Sequence, residues 1–325
     1  MDHSGARHIE DLPSRQLLSG LFHLFFRRDA DISDNGAYVQ ELESGSLSPR
    51  QLIEWFVHSA EWSHVAPMSE WGPALHYGRG LFIRSLPRAG RILDIGGASS
   101  ADPAGGFLMM GYPYPFDELM IIDLPSDERH PFYQDNFHSE SVDTGRGLVT
   151  YRYHSMADLS GLPSDSFDLV YSGESIEHVT REDACNVLTQ VRRVLKPNGV
   201  LAIDTPNSRM TRLQLPGAFV DPDHKYEYTH RQMVRMLHGS GFTIQRSHGI
   251  SLGTNSLREG DFDERELATK RGLFDEIEDC YLLAYVCKPS SPLSLRALAR
   301  QALWRTIRPG TPARRLLGHA KRRLS

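Results

Sequence analysis

From Arg91 to Lys288 the chain alternates short apolar runs with helical patterns, and this alternation restricts the fold more than any other feature. The runs predict strands over 91–95, 119–123, 148–153, 167–171, 200–204, 242–246 and 281–287. Helical periodicity lies between several of them, clearest over 181–195. Strands that alternate with helices imply a parallel, doubly wound α/β sheet. No internal repeat is visible.

The chain has 325 residues, enough for one large domain and a smaller one. Before the α/β region, Leu17, Leu18, Leu21, Phe22, Phe25 and Phe26 recur at helical spacing. The pattern continues over 37–43 and 48–59, where Ser48-Pro49 suits a cap and first turn. The expected organisation is a polar tail (1–14), a small all-α domain (15–65), a connector (66–90), the α/β domain (91–288) and a basic amphipathic tail (289–325). Leu295, Leu298, Ala302, Leu303 and Ile307 form one stripe in that tail, which suits either an anionic membrane surface or packing on the body.

The tail carries nine Lys or Arg and no Asp or Glu, so the rest of the chain has a net charge of about −14 against −5 for the whole. An acidic body disfavours a broad nucleic-acid surface. Cys185, Cys280 and Cys287 lack the spacing of a disulfide framework. The segment from Met1 to Leu12 has no apolar run for a signal peptide. These features set the expectation of a cytoplasmic protein, peripheral to a membrane if the tail binds one.

Asp94-Ile95-Gly96-Gly97-Ala98-Ser99-Ser100 closes the first strand, where glycine lets the backbone turn sharply and approach a ligand. Asp123 ends the second strand, where a carboxylate can accept from ribose hydroxyls. A full GxGxxG is absent, since positions 98 and 101 are Ala, which disfavours a dinucleotide-type oxidoreductase. At this point the chain resembles the class I S-adenosylmethionine-dependent methyltransferases. Met156 to Val170 looks like their third-loop and fourth-strand signature, and Val194-Leu195-Lys196-Pro197-Asn198-Gly199-Val200-Leu201 like their turn before the fifth strand. The resemblance implies a seven-stranded Rossmann-like methyltransferase sheet and S-adenosylmethionine as cofactor. It implies that Gly96 with Asp94 and Gly97 meets the methionine part, Asp123 the ribose and Asp158 the adenine. Ala98 and Ser100 depart from the family's usual second and third glycines. The segment 101–116 is longer than usual and reads either as an insertion over the cofactor or as a surface loop.

Glu174-Ser175-Ile176-Glu177-His178 places two carboxylates and an imidazole within about one helical turn, directly after a strand. A helix starting at Ser175 would put Glu177 and His178 in its first turn, where a carboxylate also favours the helix dipole. Asp223-His224-Lys225-Tyr226-Glu227-Tyr228-Thr229 supplies a second imidazole. Mixed Glu and His donors suit a divalent cation. The two elements resemble those of the small-RNA 3′-terminal 2′-O-methyltransferases. By that resemblance Glu174, Glu177, His178 and His224 bind Mg or Mn, which grips a ribose diol. Glu177, His178 and His224 are the candidate catalytic residues, and a histidine acting as general base without metal is the alternative.

The text from Leu21 to Trp62 resembles a short helical domain found in bacterial exported proteins and in proteins of surface-glycan loci. Together these features imply an O-methyltransferase whose partners are S-adenosylmethionine and a hydroxyl-bearing acceptor, a saccharide or glycan precursor ahead of RNA or a quinone-like phenol. A non-catalytic scaffold with the same fold is the rival of another class. The charged stretch 251–280 reads as a lid or a solvated connector.

Overall fold

Each of the seven expected strands forms, and two short ones extend the edges. The strands are β1 (Arg91–Ile95), β2 (Glu118–Asp123), β3 (Val142–Asp143), β4 (Leu148–Tyr153), β5 (Phe167–Gly173), β6 (Leu195–Pro206), β7 (Phe242–Leu252), β8 (Leu273–Phe274) and β9 (Cys280–Pro289). They make one sheet in the order β3-β4-β2-β1-β5-β6-β9-β7-β8. The computed structural model describes residues 12–290 apart from 27–28, 31, 58, 60–70, 130–137, 139–140, 222 and 261–262. The stripe of the basic tail, Glu61-Trp62 of the helical text and most of the polar tail lie outside the described residues.

β4, β2, β1, β5 and β6 run parallel, as doubly wound strands should. Among the seven expected strands the departure from parallel is β9, which inserts antiparallel between β6 and β7, and the short edge strands β3 and β8 are antiparallel to their neighbours as well. Leu252 at the end of β7 pairs with Cys280 at the start of β9. The connection 253–279 therefore stays at one end of the sheet instead of crossing a face, and the returning strand must be antiparallel. That connection is not an open loop. It builds β8 and two short helices, with Leu257 and Leu267 buried.

Strand periodicity divides the core between the two faces. Leu93 and Ile95 of β1 join one cluster with Val187, Leu188 and Val191 of the helix Arg181–Val194. Ile92 joins the other with Leu75, Phe82 and Ile83 of the helix Trp71–Arg84. Thr180 caps the first of these helices by accepting from Asp183 N at 3.2 Å. Such a cap contributes about 1 kcal/mol. The chain order reverses between β1 and β5, where Ile95 pairs with Ser172. Their carboxyl ends open a crevice, where folds of this kind bind ligands.

Numbered in chain order, the helices used below are α1 (Ser14–Phe26), α2 (Ile32–Ser44), α3 (Pro49–Val57), α4 (Trp71–Arg84), α5 (Gly106–Met109), α6 (Arg181–Val194), α7 (Ser208–Gln214) and α8 (His230–Gly239). α1, α2 and α3 share an apolar cluster of their own around Phe22, Phe25 and Phe56. α1 also reaches the rest of the chain. A Cβ at Gly20 would lie 3.2 Å from Leu215, just beyond α7. α4 was not expected, because 66–90 reads as a connector. Gly78 and Gly80 depress its helix propensity by about 1 kcal/mol each, and packing on the sheet overrides them. No described helix is long and apolar enough to cross a membrane.

Candidate active site

The turn after β1 is shaped by two glycines. Gly96 has φ +77, and a Cβ there would lie 2.8 Å from Ser175 Cβ. A Cβ on Gly97 would fall 1.8 Å from Asp94 Oδ2. Ser175 Oγ donates to Ile95 O at 2.8 Å, which ties this turn to the one after β5. The segment 101–116 is a wall and not a surface loop: Gly106 N donates to Gly97 O at 2.9 Å, and Phe107 is fully buried.

Asp94 is buried, and neither carboxylate oxygen has a hydrogen-bond partner among the described residues. Burial pushes its carboxyl up to about 8, opposed by Arg79. An acceptor left unpaired in a cavity is a place for a cationic ligand group. Asp123 accepts from Ala98 N at 3.1 Å and from Leu124 N at 2.8 Å, with Arg129 3.4 Å away. Burial raises its carboxyl, and Arg129 opposes that rise. Both acids line one cavity of about 530 Å³ together with Gly96, Gly97, Glu174 and His224. Asp158 is exposed, its carboxylate accepts from Ser160 N at 3.0 Å, and it stands beside His154 and Met156, which line the cavity, without lining it itself.

His178 and His224 line the other end of the cavity, and Glu177, buried behind them, completes a group whose ligand atoms lie within 4.8 Å of one another. Glu177 and His178 stand on a single 3-10 turn (Ile176–His178), and the helix proper starts later, at Arg181. The expected first-turn position is thus replaced by a separate turn ahead of Thr180. Glu177 is fully buried: Oε2 accepts from Thr205 Oγ1 at 2.8 Å, while Oε1 has no hydrogen-bond partner and lies 3.9 Å from His224 Nε2. Burial pushes Glu177 up to about 7. His178 Nδ1 meets Asp223 Oδ2 at 3.1 Å, and His224 Nδ1 meets Glu227 Oε1 at 2.7 Å. Burial works against protonated His224, yet Asp221, Glu227 and Glu177 carry it up to about 10. Thr211 Oγ1 donates in turn to Glu227 Oε2.

A family model described as a methyltransferase domain matches residues 79–247, which contain both ends of this cavity. The chain belongs to the methyltransferase domain family. A probable S-adenosylmethionine-dependent methyltransferase of Mycolicibacterium smegmatis is 30% identical over 142 residues, 42% of this chain and 53% of the relative, so the match spans about half of that protein. Among solved structures, the chain is similar to a putative methyltransferase in complex with the Haloferax volcanii Trm112 activator (TM-score 0.47, 15% identity, 68% of this chain and 92% of that one). It is also similar to the small RNA methyltransferase HEN1 (TM-score 0.45, 16% identity, 68% of this chain and 25% of that one).

The methyltransferase domain contains one site residue that sequence reading passed over. Arg79 of α4 is buried and donates to Glu174 Oε2 at 2.6 Å and to the Tyr171 hydroxyl at 3.2 Å. Its Nε lies 2.9 Å from Asp204 Oδ1, an ion pair without hydrogen-bond alignment. Glu174 is therefore held by Arg79 and is not gathered with Glu177, His178 and His224. The sequence signal was present in Gly78-Arg79-Gly80. A Cβ on Gly78 would lie 2.6 Å from Ile250 Cγ2, and one on Gly80 2.9 Å from Met110 O. Two glycines inside a helix mark a close approach of backbones, and they let Arg79 reach the cavity.

Proposed function

We propose that the protein is an S-adenosylmethionine-dependent O-methyltransferase that acts on a hydroxyl of a saccharide or glycan precursor. One observation carries the reading: a glycine turn, two acids and the His178–His224 pair line a single cavity, with Glu177 buried against the two rings. The cofactor end fits its ligand. Asp94 offers an unpartnered carboxylate to a cationic group, Asp123 stands at the end of the next strand, and no side chain fits at Gly97. S-adenosylmethionine would supply a methyl group on a sulfonium, and holding it in line with the acceptor oxygen accounts for much of the rate.

The acceptor end fits a divalent cation of the Mg or Mn class. Glu177 Oε1 is a buried acceptor without a donor, and each neighbouring imidazole is anchored through Nδ1 to a carboxylate, the arrangement that orients metal-binding histidines. Glu177, His178 and His224 would hold the ion, which would lower the pKa of a coordinated hydroxyl. Asp223 and Glu227 fix the two rings, and Thr205 fixes Glu177.

The carboxylates Glu174, Asp221 and Asp223 line the same end. They disfavour an acceptor with phosphate beside the reacting hydroxyl, which supports a saccharide over RNA. The likeness of 21–62 to helical domains of surface-glycan proteins points the same way. The test is transfer of label from S-adenosylmethionine into sugar, RNA and quinone-precursor pools, with and without chelator. Label is expected in the saccharide pool and is lost on chelation, and Glu177→Ala abolishes it while S-adenosylhomocysteine still binds. Label confined to RNA would replace the substrate, and turnover insensitive to chelator would remove the cation.

A further inference from the structure

Glu174 has features that neither a packing role nor a ligand role accounts for. It follows β5 directly and adopts φ +46, a left-handed backbone that costs a residue with a Cβ about 1–2 kcal/mol. Non-glycine residues held this way cluster at functional sites. Its backbone N donates to Asp204 O at 3.0 Å, which fixes the turn to β6. Its carboxylate lines the cavity and stays 28% exposed, while its Arg79 partner is 8% exposed. The structure also makes room for the pairing. A Cβ on Gly173 would lie 2.3 Å from both an Arg79 amino nitrogen and the Tyr171 hydroxyl.

The Arg79 charge is already committed within the protein: each of its three nitrogens faces an acceptor, Asp204, Glu174 or Tyr171. Glu174 differs. One oxygen is pinned by the guanidinium, and the carboxylate is still open to the cavity. A carboxylate so held accepts hydrogen bonds and repels anions.

We infer that Glu174 is an acceptor-binding carboxylate, clamped by Arg79 as its positioning residue, and that it stands outside the cation's ligand set. The inference rests on the proposed metal-assisted O-methylation and narrows its substrate class. Glu177, His178 and His224 would hold the ion, which would bind two neighbouring hydroxyls of the acceptor, and Glu174 would accept from a further hydroxyl. A pyranose ring can offer three consecutive hydroxyls. The terminal ribose of an RNA offers only the pair. The acceptor is then a neutral polyol ring that carries a hydroxyl beyond the methylated diol.

The test uses the full chain with two probes. Free Mn(II), followed by electron paramagnetic resonance, reports the ligand set. Glu177→Gln is expected to weaken Mn(II) binding by about 10-fold or more, and Glu174→Gln to change it by less than about 2-fold. A loss in Glu174→Gln equal to that in Glu177→Gln overturns the inference. The second probe is a panel of methyl hexopyranosides as acceptors. Glu174→Gln should raise the acceptor KM by about 10-fold, the size of one hydrogen bond to a charged group, with S-adenosylhomocysteine affinity unchanged. Arg79→Lys should reproduce part of that rise, read only if its melting curve shows a folded protein. A panel methylated no better by the wild type than by Glu174→Gln also overturns it. A wild type that binds no Mn(II) would sink the cation reading alone, and the kinetic arm would still decide the role of Glu174.

Discussion

With Asp94 at the proposed cofactor end, binding of S-adenosylhomocysteine is expected to release a proton. The Asp94 carboxyl is buried without a hydrogen-bond partner and is pushed up to about 8. At pH 7 it would hold about 0.9 proton, and at pH 9 about 0.1. A cationic ligand group placed beside it favours the ionised form, so binding expels that proton. Calorimetric titration with S-adenosylhomocysteine in phosphate and in Tris separates the ionisation heat of the buffer. The expected release is about 0.9 proton at pH 7 and near zero at pH 9. Asp94→Asn should release none at either pH. The same group makes folding of the ligand-free protein pH-dependent. A carboxyl raised in the folded state stabilises it at low pH, and that contribution is lost as pH rises from about 4 through about 8. The slope approaches about 1.4 kcal/mol per pH unit for one group. Urea unfolding of Asp94→Asn should lack this slope. Equal proton release by wild type and Asp94→Asn at pH 7 would refute the argument.

Two further outcomes follow from the site. Gly97→Ala must push the new methyl against Asp94 Oδ2, so S-adenosylhomocysteine affinity by calorimetry should fall at least about 10-fold while the fold persists by circular dichroism. Arg79→Leu leaves Asp204 and Tyr171 buried without their cation, and urea unfolding should show a loss of about 3–5 kcal/mol. A change below about 1 kcal/mol would mean that the carboxylates are neutral there.

Much of this molecule was legible from residue patterns because the signals were local. Seven apolar runs, the Gly96-Gly97 turn and the acid at 123 each sit within a few residues and need no distant partner to be recognised. The Glu177-His178-His224 cluster joins two short motifs, and the fold brings them together by pairing β5 with β6 and by the donation of Lys225 N and Tyr226 N to Glu177 O. What was missed depends on long-range packing. The link between Arg79 and Glu174 spans 95 positions, so the close approach that Gly78 and Gly80 signal has no partner named in the sequence. Asp158 is the converse case: its motif is local, and its exposed carboxylate accepts from Ser160 N in a turn that the sequence does not spell out. The antiparallel β9 shows the same limit, since strand direction depends on which end of the sheet the connection keeps to, and periodicity carries no record of that.

The contact between α1 and Leu215 gives the N-terminal helices a stake in the chemistry. Leu215 ends α7, and α7 carries Thr211, whose hydroxyl holds Glu227, which in turn steadies the His224 ring. The bundle thus buttresses the histidine from behind. Trimming the chain to the sheet alone would keep Glu177, His178 and His224 and remove the support behind one of them.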